Sequence, residues 1–542
     1  MPLLALALCQ VTAGCGDAAD AGPDTGGGAD TDTGGGHNDG GWPEYEGPGD
    51  FDRSECRGGV DAVDLEGIWH LAAEREAGYR PQWFRPEGEV LHLREAGGEL
   101  SARVAGSWRR GQAERIDDGL FLRSAEPLEY EHVLFACTAE DDDTIYGRYA
   151  DCWHLSFAVE CLEAEFRAVR VSARDEAPAA GLEELAVYGG PDAAPWNVGE
   201  RAATAVATDG QLVYLARAGA GLAIVDVSEP AEPVEIGRRA ISDVAERGSG
   251  LTITRGPGDE VYAIVAAAAR VEIVNVTEPA EPEVVAEIMA EGAGSVSAFA
   301  DDDRLYVVTV DSFAHTPRAP PATLTIYDFA DPTAPSELGS YLVPRASDVA
   351  AEIASATRIL HPEFTYDLYV DDELAYLSHG RDGLLVLDVS EPLAVELIAS
   401  FVDDEDPYSR AGWPVEAGGQ AILLHVDERF GGILRVLDGE LDATSFLEPM
   451  GALATRPEVS ASQVVSAGAH AYLANHQDGL RVIDLADPST PVEVGHYHSW
   501  PGPAPGYSDR FAEGIVGVAV DGTRGLIYLA DSHRGLIIFR EE

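Results

Sequence analysis

From about residue 200 to residue 542, apolar residues fall in short runs rich in Val, Ile, Leu and Tyr, bounded by Gly, Pro and Asp. Runs of that length with those boundaries predict strands. The runs come in pairs, one tight turn apart. The first pair is Val213-Tyr214-Leu215-Ala216 and Gly221-Leu222-Ala223-Ile224-Val225-Asp226, followed by Ser228, Pro230 and Pro233. Six further pairs are anchored on Tyr262, Tyr306, Tyr376, Ile422, Tyr472 and Tyr528. They close on Asn275, Asp328, Asp388, Asp438, Asp484 and Arg540. A repeat of about 50 residues marks a supersecondary unit that buries its apolar faces by stacking on its neighbours. A weaker run precedes each pair, as at 202–207 and 515–520, and another follows the prolines, as at 234–237 and 492–495. Four strands per repeat is the composition of a propeller blade.

Residues 182–542 therefore read as a seven-bladed β-propeller. The last copy supplies three strands, and the segment 185–189 (Leu-Ala-Val-Tyr-Gly) has the look of the other fourth strands. It is expected to complete blade seven, which joins two distant segments and removes an exposed sheet edge. The Asp226-Val227-Ser228-Glu229-Pro230 step suits the turn after strand three. Its Asp can bond backbone two residues on, and proline ends the pairing.

The repeated phrase resembles the LVIVD repeat family, named for the run that here reads Leu-Ala-Ile-Val-Asp at 222–226. The resemblance covers about residues 182–542. Thr323 departs from it in the Gly place of copy three, and Arg540 in the Asp place of copy seven. The resemblance implies a β-propeller on bacterial and archaeal surface or secreted proteins, and no catalytic residue.

Residues 54–175 have another texture. Alternating stretches at 89–93, 100–104, 119–122, 133–138, 144–149 and 164–171 predict a small antiparallel sheet or barrel. Its opening, Gly67-Ile68-Trp69, resembles that of lipocalin-like barrels; read from the residues alone, Trp69 is a core residue of an accessory domain. The expected fold class is all-β, a seven-bladed propeller preceded by a small disulfide-containing antiparallel β domain, with the joint at 176–182.

Residues 1–15 read as a short lipoprotein-type signal peptide, with Thr12-Ala13-Gly14-Cys15 resembling a lipobox and Cys15 as the lipidated residue. Residues 16–53 are Gly- and Asp-rich and too poor in apolar residues to fold, so they read as a tether. This layout predicts export and a lipid anchor at the outer membrane or cell surface. Four cysteines remain, all ahead of the propeller. An even set in an exported domain reads as two disulfides, expected as Cys152–Cys161 and Cys56–Cys137.

The charge narrows the partners. The chain has 95 acidic residues against 36 basic ones, a net −59, and every base is Arg. Without Lys, neither Schiff-base chemistry nor a Walker-type phosphate loop is open to it. Nucleic acid and anionic lipid surfaces are poor partners for such a field. A protein or polysaccharide ligand, a monomer, and membrane contact through the lipid alone are the expectations.

Candidate chemistry gathers in the turns between the second and third strands. His379, His425, His476 and His533 stand there in copies four to seven, and His315 in copy three. Asp382, Asp427, Glu428, Asp478 and Asp531 stand beside them. Equivalent turns of a propeller share one face, so this set is the candidate ligand-binding rim. No cofactor is expected; calcium or a transition metal is what such a rim would hold. No nucleophile elbow or zinc-protease motif is present. A non-enzymatic surface binder is the leading expectation. A metal-dependent hydrolase and a purely structural envelope protein are the alternatives. The aromatics Tyr408, Trp413, Trp500, Tyr507 and Phe511 read as loop residues, suited either to ligand contact or to covering the blade ends.

Overall fold

The computed structural model describes residues 47–54, 56–74, 89–96, 99–104, 109–116, 119–125, 130–155, 158–172, 179–189, 203–217, 220–242, 250–267, 269–290, 293–301, 303–311, 322–344, 365–402, 408–428, 431–456, 458–498 and 514–542. The signal, Cys15 and most of the tether lie outside them, as do His315, Trp500, Tyr507 and Phe511. Among the described residues the chain is all-β, with two 3-10 turns and no helix long and apolar enough to cross a membrane.

Eight antiparallel strands in sequence order, from Gly67–Glu74 to Ala158–Val171, close into a barrel when the first pairs with the last. Trp69 and Leu71 of the first strand point into its apolar interior with Leu91, Leu93, Leu134 and Phe166. The Trp69 indole N–H donates to the Leu65 carbonyl at 3.0 Å, and the Arg170 guanidinium lies 4.3 Å over the ring. A Cys56–Cys137 disulfide ties the segment before the barrel to its sixth strand. Cys152 and Cys161 are register partners on adjacent strands, with side chains outside the described set.

Seven further sheets form the propeller. Blade one runs Ala203–Asp209, Leu212–Arg217, Gly221–Asp226, Val234–Arg239, from the innermost strand outward, and the other blades repeat that order. In blade seven the fourth strand is Leu182–Tyr188, which pairs with Gly535–Glu541 from Leu182↔Glu541 to Tyr188↔Leu536. Blade six gains a short fifth strand, Ala179–Ala180, against its outer strand Val492–Tyr497.

The repeated phrase has a mechanical meaning. Asp226 and Asp388 each accept the backbone N–H two residues on, from Ser228 and Ser390. Those bonds hold both carboxyls below the usual aspartate range, led by the backbone bond at Asp226 and by the Ser390 hydroxyl at Asp388. The proline turn then docks on the preceding blade. A Cβ on Gly237 would lie 1.7 Å from the Pro279 carbonyl oxygen, and one on Gly339 2.2 Å from that of Pro392. Only glycine lets the outer strand of one blade meet the turn of the next so closely. Arginines add to the clamp. Arg304 donates to the Val389 and Ser390 carbonyls of the next blade at 2.9 and 3.0 Å, and Arg524 of blade seven to the Val227 carbonyl of blade one at 2.7 Å.

Candidate functional site

Because the strands of a blade alternate in direction, its turn between strands two and three lies on the same face as the connections between blades. The His-bearing turns therefore share that face. They do not share one position within it, and His425 and Asp427 are not in a turn but in the second strand of blade five, Gln420–Asp427, where His425 stands opposite Arg435. Counting back from the glycine that opens strand three, Gly383, Gly479 or Gly535, His379 stands four residues before, His476 three and His533 two. Asp382 and Asp478 are equivalent, one residue before their glycines. Each donates its backbone N–H to the residue three before it, His379 or Asn475.

The side chains are turned inward and joined to one another. His379 and Asp382 are both 0% exposed, with Nε2 3.6 Å from Oδ2, and the Thr365 hydroxyl lies 3.0 Å from His379 Nδ1. The Ser409 hydroxyl is 3.0 Å from His425 Nε2. Asp427 accepts from the Tyr408 backbone N–H at 3.2 Å and pairs with Arg435. Glu428 bridges two blades, with one oxygen 3.0 Å from His476 Nε2 and the other 3.3 Å from Arg410 Nε. Asp478 is held by Arg456 at 2.7 Å and Arg481 at 3.6 Å. The backbone of His476, at φ 41°, exchanges hydrogen bonds with Ile515 of blade seven. His533 stands apart. It is half-buried, its N–H donates to Asp531 Oδ1 at 2.8 Å, and its ring contacts Ser532.

The order Thr365–His379–Asp382 is that of a hydroxyl, an imidazole and a carboxylate. A nucleophile must reach a substrate, and Thr365 is 2% exposed behind two fully buried partners. Ser409 and His425 are sealed as well. Among the described residues no three His, Cys, Asp or Glu side chains come together to hold a metal ion. What the network does well is balance charge. Buried carboxylates are tolerated when paired and hydrogen-bonded. Here Asp382, Asp427 and Asp478 pair within blades four, five and six, while Glu428 reaches from blade five to His476 of blade six.

Part of the cover comes from the barrel, through residues that no motif marks. His70 alternates with Trp69 and Leu71, so it projects outward, yet it is 0% exposed, as is Ile68 on the same side. Its Nδ1 contacts the backbone oxygen of Glu458, in the connection between blades five and six. From that connection Arg456 donates to the Ser172 carbonyl at the barrel's end at 2.9 Å, while pairing with Glu458 and Asp478. Burial, with Arg456 and His476 nearby, pushes the His70 imidazole down to about 3, against the pull of its bond to Glu458. The folded chain thus keeps His70 neutral where the unfolded chain takes up a proton. Its contribution to stability is complete above about pH 6.5 and is lost as pH falls toward 3. Between about pH 6.5 and 5, before most carboxylates titrate, the loss is about 2 kcal/mol. Denaturation midpoints measured across that window should fall in the wild type and fall less steeply in His70→Gln.

The open feature is the central channel, a cavity of about 330 Å³ lined by the innermost strands of all seven blades. Trp413 lies within the first strand of blade five, not on a loop, and its ring is 4.3 Å from Tyr369. Phe299 meets Tyr369 edge-on at 5.1 Å. The Trp413 indole N–H donates to the Ser466 hydroxyl at 3.0 Å. Burial, then the nearby Asp371, pushes the Tyr369 phenol up to about 12, so it stays neutral. Tyr408 is buried, its hydroxyl against that of Tyr366.

Three segments, 200–240, 365–403 and 460–499, match the family model described as LVIVD repeat. They span blades one, four and six. No curated protein matches the chain. Among solved structures, BamB from Moraxella catarrhalis is 9% identical over 79% of this chain and 96% of its own, with a TM-score of 0.38. Raptor from Chaetomium thermophilum is 13% identical over 64% of this chain and 29% of its own, at 0.41. A computationally designed protein, Ika8, is 8% identical over 66% of this chain and 99% of its own, at 0.39.

Proposed function

We propose that this chain, a seven-bladed β-propeller carrying LVIVD repeats, is a non-enzymatic binding module held at the cell envelope by a lipid on Cys15, with a protein or polysaccharide as its ligand. One observation carries the non-enzymatic part. The histidines and carboxylates of blades four to six are buried and held by protein partners: His379 with Asp382, His425 with Ser409, His476 with Glu428, Asp427 with Arg435 and Asp478 with Arg456. They therefore serve the scaffold, and the open surface is the channel and the faces around it. The Cys56–Cys137 disulfide fits an oxidising compartment, and a strongly acidic surface suits a soluble domain outside the cell.

The test is to present the purified chain to an envelope glycan array and to envelope protein extracts, with metal analysis of the same preparation. Saturable binding to one class, without stoichiometric metal, supports the module. A stoichiometric transition metal that is lost in His379→Ala or His425→Ala would move the function to metal-dependent hydrolysis. No ligand of either class would leave a structural envelope protein.

A further inference from the structure

We infer that the central channel is a carbohydrate site whose aromatic wall, Phe299, Tyr369 and Trp413, seats one uncharged pyranose ring of a glycan. The inference rests on the binding reading above and names the place and chemistry of the ligand. Its first support is a break in the repeat. The residue opposite the anchor Tyr or Ile on each innermost strand is Ala207, Thr254, Phe299, Tyr369, Val415, Val465 and Ala519 in blades one to seven. Each ring of the wall also packs on an apolar cluster of the blades, which Val415, Val465 and Ala519 at the equivalent places do without an aromatic ring. Aromatics occur at this place only in blades three and four, and Trp413 extends the same wall from blade five. All three rings are half-buried, so part of each borders the cavity.

The second support is chemical. A pyranose has an apolar face of C–H groups and a rim of hydroxyls. The aromatic wall suits the face. The rest of the lining offers uncharged polar groups. The Thr204, Thr208 and Thr252 hydroxyls donate to the Ala216, Leu212 and Ala298 carbonyls at 3.3, 3.1 and 3.4 Å. Gln463 Oε1 accepts the Val518 N–H at 2.8 Å, and the Ser466 hydroxyl accepts the Trp413 indole N–H. The threonine oxygens can therefore accept from the rim, and the Gln463 amide and Ser466 hydroxyl can donate to it. An anionic ligand would have Arg410 as the cation of the lining, and that side chain already pairs with Glu428 and donates to the Tyr366 carbonyl at 3.0 Å. The volume of about 330 Å³ lies at the lower end of small-ligand sites, enough for a single ring with some water.

The experiment titrates the purified full chain with glucose, galactose, N-acetylglucosamine and their linear trisaccharides. Binding is read by calorimetry and by saturation transfer to the sugar C–H protons. Saturable binding of at least one is expected, weakened by about tenfold or more in Tyr369→Leu and kept in Tyr369→Phe, with melting curves of both variants confirming the fold. Trp413→Phe gives a second, milder loss. No saturable binding of any of these sugars overturns the channel site, and so does binding that Tyr369→Leu leaves unchanged. In the latter case glycan binding itself survives, so the binding module stands while its placement falls. Binding to envelope protein alone would likewise remove the sugar site and leave the module.

Discussion

Deleting residues 182–190 should abolish cooperative unfolding of the propeller rather than lower its midpoint by a few degrees. The segment Leu182–Tyr188 is the fourth strand of blade seven, and it pairs with Gly535–Glu541 over nearly its whole length. Without it, the strand carrying Leu536, Ile538 and Phe539 becomes a sheet edge. The apolar cluster that holds Leu182 with Tyr472, Tyr497 and Phe539 would open to water. Blade seven also closes the ring against blade one, where Arg524 reaches the Val227 carbonyl. A repeat array that loses its closure loses interface energy at both neighbours. Calorimetry and circular dichroism on heating should show a broad, early transition and aggregation, as expected for an exposed edge. A sharp transition within a degree or two of wild type would mean that the pairing contributes little.

The second large effect is expected at a buried ion pair. Arg435 and Asp427 lie within one blade, 7% and 1% exposed, in contact with each other, and Asp427 also accepts the Tyr408 N–H. Arg435→Ala strands a carboxylate in a dry site and should cost about 3–5 kcal/mol. The double change Arg435→Met with Asp427→Asn removes both charges and keeps much of the volume. It should recover most of that loss, because the penalty belongs to the uncompensated charge more than to the pair itself. Denaturant midpoints at constant slope measure both. A single variant within about 1 kcal/mol of wild type would show that solvent reaches the pair.

Several features were legible without coordinates because they are local. Short continuous runs of Val, Ile, Leu and Tyr bounded by Gly, Pro and Asp declare strands. Asp226 and Ser228 declare the turn that follows them, and the return of that phrase declares a ring of blades. Gly237 and Gly339 stood in the same phrase, but their reason is a contact with Pro279 and Pro392 of the next blade, about 42 and 53 residues on. The candidate site was legible in composition and not in arrangement. The sequence places His379, His425, His476 and His533 in one set of turns. The structure separates them into different positions, links His476 to Glu428 across two blades, and leaves His533 apart. Trp413 reads as a loop residue from the Gly and Pro around it, yet it sits in an innermost strand against Tyr369.

By itself, then, the sequence determined what depends on neighbours along the chain: all-β content, the repeat, the turn chemistry and an acidic, lysine-free surface. Tertiary structure alone decided what depends on meeting across the chain. It turned a polar rim into a buried network, placed His70 of the barrel over Glu458 of the propeller, and gathered Phe299, Tyr369 and Trp413 on one wall of the channel. The physical reason is burial. Whether a histidine or aspartate is exposed chemistry or internal mortar depends on which other segments exclude water from it, and local pattern carries no record of those segments.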